Sequence, residues 1–203
     1  MGGSGYLPLA FVLGGYLLGS LPFAVIVSKL FGLADPRSYG SGNPGATNVL
    51  RSGNKLAAVL TLLGDAVKGW LAVWLAIRFG ADANTVAATG FAALLGHVFP
   101  ILLGFKGGKG VATAAGVFLG FSGWLALACI GVWLAVAVIT RYSSLAAICA
   151  ALAAPLFGWW LLDGPQVLAL LAMSVLVVWR HQPNIRNLLA GTESRIGQKK
   201  KKA

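Results

Sequence analysis

Charge is scarce in this chain. Of its 203 residues only 10% are Asp, Glu, Lys or Arg, against 58% hydrophobic. A water-soluble domain carries about 25% charged residues, so there is too little polar material here to clothe a globule in water. Acids are scarcest, five against sixteen Lys and Arg, for a formal net charge of +11. Outside the apolar runs there is no carboxylate pair for glycosidase-type acid/base work, and Asp35 has no acidic neighbour with which to hold Mg²⁺. Cysteine is limited to Cys129 and Cys149, both in apolar stretches, without a CxxC pair or a neighbouring His. They read as small buried hydrophobes, which leaves no disulfide framework, zinc site or cysteine nucleophile. No HExxH is present, so metal chemistry has no ligand set and none is expected.

What is abundant is apolar length. The mean hydropathy is +0.81, and glycine, at 28 residues, suits the close helix approaches of membrane proteins. A helix needs about 20 apolar residues to cross a bilayer. Apolar runs extend from Tyr6 to Phe31, Leu56 to Phe79, Thr85 to Leu103, Val111 to Thr140, Leu145 to Leu162 and Gln166 to Trp179. The first run lacks a basic lead-in and is too long for a cleaved signal peptide. If Val111 to Thr140 were one helix, Arg141 would lie opposite Lys106 and Lys109. If it breaks near Gly120-Phe121-Ser122-Gly123, the first piece is short or tilted and every loop rich in Lys and Arg falls on one face. The positive-inside rule makes that face cytoplasmic. The expected fold is therefore an all-α polytopic membrane protein of seven transmembrane helices. Its N-terminus is outside, its C-terminus cytoplasmic, and residues 1–203 form a single domain. Residues 196–203 are expected to be a flexible basic tail.

Three polar segments converge on that face. The first runs from Gly40 to Arg51. Its glycines and Pro44 force a compact turn that exposes backbone N–H groups, Ser41, Asn43, Thr47 and Asn48 add neutral hydrogen-bonding groups, and Arg51 offers a fork suited to phosphate. The competing reading is an ordinary interhelical loop with Thr47 or Asn48 as helix cap. The second, Gly104 to Thr113, places Lys106, Gly107, Gly108, Lys109 and Gly110 just before a helix start. Amides, helix dipole and the Lys109 charge can cradle an anion there, with Thr113 one turn in. It is not a Walker A loop, because the spacing and the preceding strand are missing. The plain alternative is a flexible basic loop. The third, Arg180 to Asn187 and on to Glu193, carries His181 and Asn184. His181 is read equally as a hydrogen-bonding anchor or as a base.

Two features lie inside the apolar runs. Asp65 and Lys68 fall on one helix face and read as a structural ion pair. His97, just before the glycine-lysine loop, reads as a brace for it.

At these segments the chain resembles the bacterial acyl-phosphate:glycerol-3-phosphate acyltransferases of phospholipid synthesis. The residues that carry the resemblance are GSGNPGATNVLR, GHVFPILLGFKGGKGVAT and RHQPNIRNLLAGTE, with LGDAVKG and RYSSL also fitting. The resemblance spans essentially the whole chain. It implies a seven-helix enzyme of the bacterial inner membrane with its active site on the cytoplasmic face and no cofactor. The donor would be acyl phosphate rather than acyl-CoA or acyl carrier protein, the acceptor glycerol 3-phosphate and the product lysophosphatidic acid. A soluble enzyme making the acyl phosphate would hand it over, and membrane lipid is the surrounding partner. Ser41, Arg51, Lys109, His181 and Asn184 are the positions that the resemblance assigns to substrate, with Thr113 and the glycines as supports. His181, Lys109 and Arg51 are the expected catalytic residues.

The residue inventory suits that chemistry. An acyl phosphate brings its own leaving group, so holding two phosphates and aligning a hydroxyl supplies most of what is needed. Neither histidine carries the His-x-x-x-x-Asp spacing of other acyltransferases, and no Ser or Cys has an evident base partner, so direct transfer without an acyl-enzyme is expected. A transporter for a phosphorylated solute is the competing class, but it needs polar residues along a path rather than at one face. Nucleic-acid binding is excluded because the cations lie in short membrane-surface loops without interleaved aromatics.

Overall fold

The computed structural model describes residues 6–197. Every regular element among them is helical. The helices are α1 (Tyr6–Gly19), α2 (Phe23–Leu30), the single turn α3 (Ala46–Val49), α4 (Lys55–Arg78), α5 (Ala83–Val98), α6 (Val111–Phe121), α7 (Gly123–Thr140), α8 (Ser143–Leu161), α9 (Gly164–Arg180) and α10 (Gln182–Leu189). Short 3₁₀ turns follow α3 at Leu50–Ser52 and α5 at Ile101–Leu103.

Four helices are each long and apolar enough to cross a membrane: α4, α5 with its 3₁₀ turn, α7 and α8. Counting the bent pairs α1 with α2 and α9 with α10 gives up to six candidate spans. The surface is that of a lipid-facing protein, with Ile139 81% and Trp160 86% exposed. The run from Val111 to Thr140 is divided, as the sequence suggested: Ser122 adopts an extended conformation between α6 and α7. With 11 residues, α6 is roughly 16 Å long, about half the hydrocarbon thickness.

Chain order and packing order differ. α1 lies along α5, α4 along α6, α5 against α9, and α7, α8 and α9 pack in series. Small residues make the crossings close: a Cβ on Gly116 would overlap the Ala66 carbonyl, and one on Gly19 the backbone of Ala93. The largest buried cluster joins α4, α5, α6, α7, α8 and α9 around Val73, Leu94, Val117, Leu125 and Leu170.

The break between α1 and α2 at Pro22, where the two helices meet at 41°, interrupts the helical hydrogen bonding and leaves backbone carbonyls to find other partners. Lys68 Nζ donates to the Leu21 carbonyl at 2.8 Å and pairs with Asp65 Oδ1 at 2.8 Å. The pair read as structural from sequence thus stitches α4 to the broken helix.

Caps were placed less well by sequence. The turn α3 has Gly45 at its N-terminus and no side-chain cap. Asn54 caps α4 by accepting from Ala57 N–H at 2.9 Å, so neither Thr47 nor Asn48 caps a helix. Near the end of the described residues, Ile196 N–H donates to the Arg141 carbonyl at 2.7 Å, and Arg141 returns a bond to the Ile196 carbonyl at 2.9 Å. Lys199 to Lys202 lie outside the described residues.

Candidate active site

The loop before α3 is organised by one side chain. Asn48, 2% exposed, accepts at Oδ1 from Ser41 N–H at 3.0 Å and from Arg51 at 3.3 Å. Its Nδ2 donates to the carbonyls of Pro36 at 2.6 Å and Tyr39 at 3.2 Å. Gly40, at φ +63°, leaves room for this amide, since a Cβ would strike Asn48 Oδ1. Asn48 is therefore saturated by its own loop, and it aims Arg51. The Arg51 guanidinium also donates to Ser194 Oγ at 2.8 Å.

The glycine-lysine loop folds back on the end of α5. Gly107 N–H donates to the Val98 carbonyl and Gly108 N–H to the His97 carbonyl, each at 3.1 Å. Cβ atoms would overlap the His97 carbonyl at Gly107 and the His97 imidazole at Gly108. The amides of these two glycines are thus spent on folding. The amides that remain for an anion are those of Lys109, Gly110 and the first turn of α6, with Gly110, at φ +83°, turning the chain into the helix. His97 braces this region as expected: its Nδ1 lies 3.1 Å from Thr113 Oγ1 and 3.4 Å from Asp65 Oδ1.

After α9 the chain turns by 57° at His181 into α10. His181 Nδ1 lies 2.7 Å from the Val177 carbonyl. A carbonyl can only accept, so Nδ1 carries the proton and Nε2 is the lone-pair side. Asn184 accepts from Lys109 Nζ at Oδ1 and donates through Nδ2 to Glu193 Oε1 at 2.7 Å. Ser144 Oγ, from the start of α8, donates to the same Glu193 oxygen at 2.6 Å.

These parts surround one cavity of about 500 Å³. Ser41, Asn43, Thr47, Asn48, Arg51, Lys109, Gly110, His181 and Asn184 all line it. Thr113, fully buried on His97, does not, and neither do Gly107, Gly108 and the exposed Lys106. From the polar end an apolar arm descends between α6, α7, α8 and α9 to Phe118, Cys129 and Met173. Cys129 stands roughly 16 Å from the loop end of α7. Leu62 and Leu63 of α4 and Ile130 and Leu134 of α7 line the cavity while remaining between 44% and 52% exposed, so it opens sideways as well.

The electrostatics follow from burial among cations. Lys109 is pushed down from its ordinary value to about 8, first by burial. Glu193 partly opposes this, and Arg51 and Arg180 add to it. His181, 3% exposed, falls to about 4, again mainly by burial, with the Val177 carbonyl opposing. It is therefore neutral near pH 7, an acceptor through Nε2.

Sequence reading missed Arg180, Ser144 and Glu193. Arg180 donates to the carbonyls of Gly107 at 3.1 Å and Gly108 at 3.3 Å. Glu193 is the chain's only glutamate and stood inside a segment already singled out. That solitary acid among cations was the available signal. Ser144 and Glu193 also correct the expectation that no serine has a base partner.

A family model described as Glycerol-3-phosphate acyltransferase matches residues 9–191. The chain belongs to this family. A glycerol-3-phosphate acyltransferase of Laribacter hongkongensis is 61% identical over 92% of this chain and 94% of its own length. Two crystal structures of PlsY (YgiH), an integral membrane glycerol 3-phosphate acyltransferase, share the fold. Its glycerol 3-phosphate form has a TM-score of 0.88 at 40% identity, covering 94% of this chain and 96% of that one. Its lysophosphatidic acid form gives 0.87 at 39%, covering 94% and 95%. This chain is an integral membrane protein of the same helical fold, and family membership makes it an acyltransferase.

Proposed function

We propose that the protein transfers an acyl group from an acyl phosphate to the 1-position hydroxyl of glycerol 3-phosphate, giving lysophosphatidic acid and phosphate. The observation that carries this is a single cavity with a cationic, hydrogen-bonding end and an apolar arm opening sideways. That shape suits an amphiphile with a phosphate head and a lipid tail, met by a small phosphorylated acceptor. The relatives named above act on glycerol 3-phosphate by name, and PlsY has been captured in forms named for that acceptor and for lysophosphatidic acid.

Lys109 and the amides at the start of α6 hold one phosphate, and Arg51, Ser41 and Asn184 hold the other. Both positions neutralise charge where the carbonyl and leaving phosphate gather it. The acceptor hydroxyl, hydrogen-bonded to His181 Nε2, attacks the acyl carbon, the bond to the phosphate oxygen breaks, and phosphate leaves. His181 holds a proton poorly in this environment, so the hydroxyl proton passes to the phosphate rather than staying on the histidine. Ser144 is not acylated on the way. The Glu193 oxygen that Ser144 meets also accepts from Asn184 Nδ2, so it is already shared between two donors.

In the membrane the chain crosses seven times, α6 being the short segment, with the N-terminus outside and the site facing the cytoplasm of the bacterial inner membrane. The Arg141–Ile196 and Arg51–Ser194 bonds support this. They bring the ends of α7 and α10 and the 3₁₀ turn after α3 together at one side. A soluble enzyme that makes the acyl phosphate supplies the donor at that side. A transporter of phosphorylated solutes would need a polar path through to the far end, whereas here the arm ends on buried Phe118, Cys129 and Met173.

The test is transfer of labelled glycerol 3-phosphate into a lipid-extractable product by the purified protein. Palmitoyl phosphate should support it and palmitoyl-CoA should not. A product formed from palmitoyl-CoA alone would refute the donor assignment.

A further inference from the structure

Arg180 does not line the cavity, yet its guanidinium spans two consecutive carbonyls of the glycine-lysine loop, NH2 to Gly107 and Nε to Gly108. Those carbonyls belong to the peptide planes 107–108 and 108–109. In the first plane both edges are engaged. The Gly107 carbonyl meets Arg180, and the opposite Gly108 N–H meets the His97 carbonyl. A planar trans peptide points its C=O and N–H in opposite directions. In the second plane, fixing the Gly108 carbonyl on Arg180 therefore sends the Lys109 N–H away from Arg180. Lys109 and Gly110 are the loop residues that line the cavity. A glycine pair has the widest choice of backbone conformations of any sequence, so without such fixing these planes would rotate freely.

We infer that Arg180 is the positioning residue of the phosphate cradle. Its fork sets the Gly107 and Gly108 peptide planes, so that the Lys109 amide and ammonium are presented to an anion before it arrives. It acts through the loop and touches no substrate. A forked donor is needed, because a lysine ammonium is a point charge on a flexible stem and cannot span two carbonyls in fixed geometry. Trp179, whose ring lies 5.7 Å from the Arg180 guanidinium and 6.0 Å from Phe99, holds this corner against the end of α5. The inference rests on the reading of the cavity as a phosphate site.

A second consequence concerns the charge of Lys109. The charged and titratable groups around it are Arg51, Arg180, His181 and Glu193, with the buried Asp65, Lys68 and His97 beneath the loop. Arg180 is one of the cations that weaken Lys109's hold on its proton. Removing its charge in Arg180→Ala should strengthen that hold, while Arg180→Lys, which keeps a cation there, should change it less.

The test uses full-length wild type, Arg180→Ala and Arg180→Lys in lipid nanodiscs. Glycerol 3-phosphate binding is read by calorimetry without any donor, alongside steady-state kinetics. Arg180→Lys should weaken binding and raise KM roughly 10-fold, and Arg180→Ala should do so further, both with a much smaller change in kcat. Added guanidinium ion should restore binding to Arg180→Ala in a saturable way. The alkaline limb of kcat/KM in Arg180→Ala should move to higher pH. Wild-type binding in both variants would overturn the inference, and so would losses of equal size in both with no rescue and no shift of the limb. A wild type that binds glycerol 3-phosphate without acyl transfer would refute the proposed function, while the clamp is still judged on binding.

Discussion

Lys109 Nζ donates to Asn184 Oδ1, joining the glycine-lysine loop to the first turn of α10. Because Asn184 in turn donates to Glu193, the amide orients the lysine without neutralising it, as a carboxylate there would. Asn184→Ala should lower kcat/KM for glycerol 3-phosphate roughly 10-fold, the cost of one hydrogen bond to a charged group. Asn184→Asp should instead move the alkaline limb upward by adding a negative charge beside the ammonium. Steady-state kinetics across pH on both variants would check this, and an unshifted limb in Asn184→Asp would contradict it.

The pH dependence of the wild type has a definite sign. Lys109 is charged below about 8 and loses its proton above it, so affinity for the anionic substrate should fall as pH rises through that value. A bound phosphate favours the charged form and raises the value, so the limb should be clearest in kcat/KM, which reports the free enzyme. Lys109→Ala should be weak at every pH and lack the limb. A limb of the same position in Lys109→Ala would assign it to another group.

Ser144 is the serine to test for covalent catalysis, since its hydroxyl bonds a carboxylate at 2.6 Å. Direct transfer predicts that Ser144→Ala keeps activity within about 10-fold of wild type, the loss being that of one supporting hydrogen bond. Wild type should show no burst of phosphate release when acceptor is withheld. Complete loss of transfer in Ser144→Ala, with glycerol 3-phosphate binding intact, would argue for an acyl-enzyme instead.

The buried Asp65–Lys68 pair should be costly to break and cheaper to delete. Asp65→Ala leaves a lysine charge in the apolar layer and should cost about 3–5 kcal/mol, while Asp65→Ala combined with Lys68→Met should recover part of it. Recovery should be incomplete, because Lys68 also satisfies the Leu21 carbonyl at the helix break. Thermal unfolding in detergent measures both, and additive losses in the double variant would show that the two residues do not act as a pair.

Much of the fold was legible because the bilayer imposes length on sequence. The break at Ser122 was legible because Gly120, Ser122 and Gly123 interrupt the run, and because an unbroken helix would set Arg141 opposite Lys106 and Lys109. Helix pairing was not legible. α1 against α5 and α4 against α6 depend on glycines meeting backbone from distant segments, which spacing within one helix does not reveal. In the site, the three segments were found because glycines, amides and cations cluster there. Their division of labour was hidden. Asn48 looked like a ligand and is consumed by its own loop, and Gly107 and Gly108 looked like amide donors and bond α5. Arg180 looked like one more interfacial cation. In each case the deciding partner is a backbone carbonyl, which every residue has and no sequence marks.

In the proposed reaction this one cavity brings an acyl phosphate and glycerol 3-phosphate together for direct transfer. The most direct test is inorganic phosphate release by the purified protein in lipid, from palmitoyl phosphate, with and without glycerol 3-phosphate. Release should depend on the acceptor, match lysophosphatidic acid formed one for one, and be lost in Lys109→Ala. Release that ignores the acceptor, or none at all from folded protein that binds glycerol 3-phosphate, would contradict it.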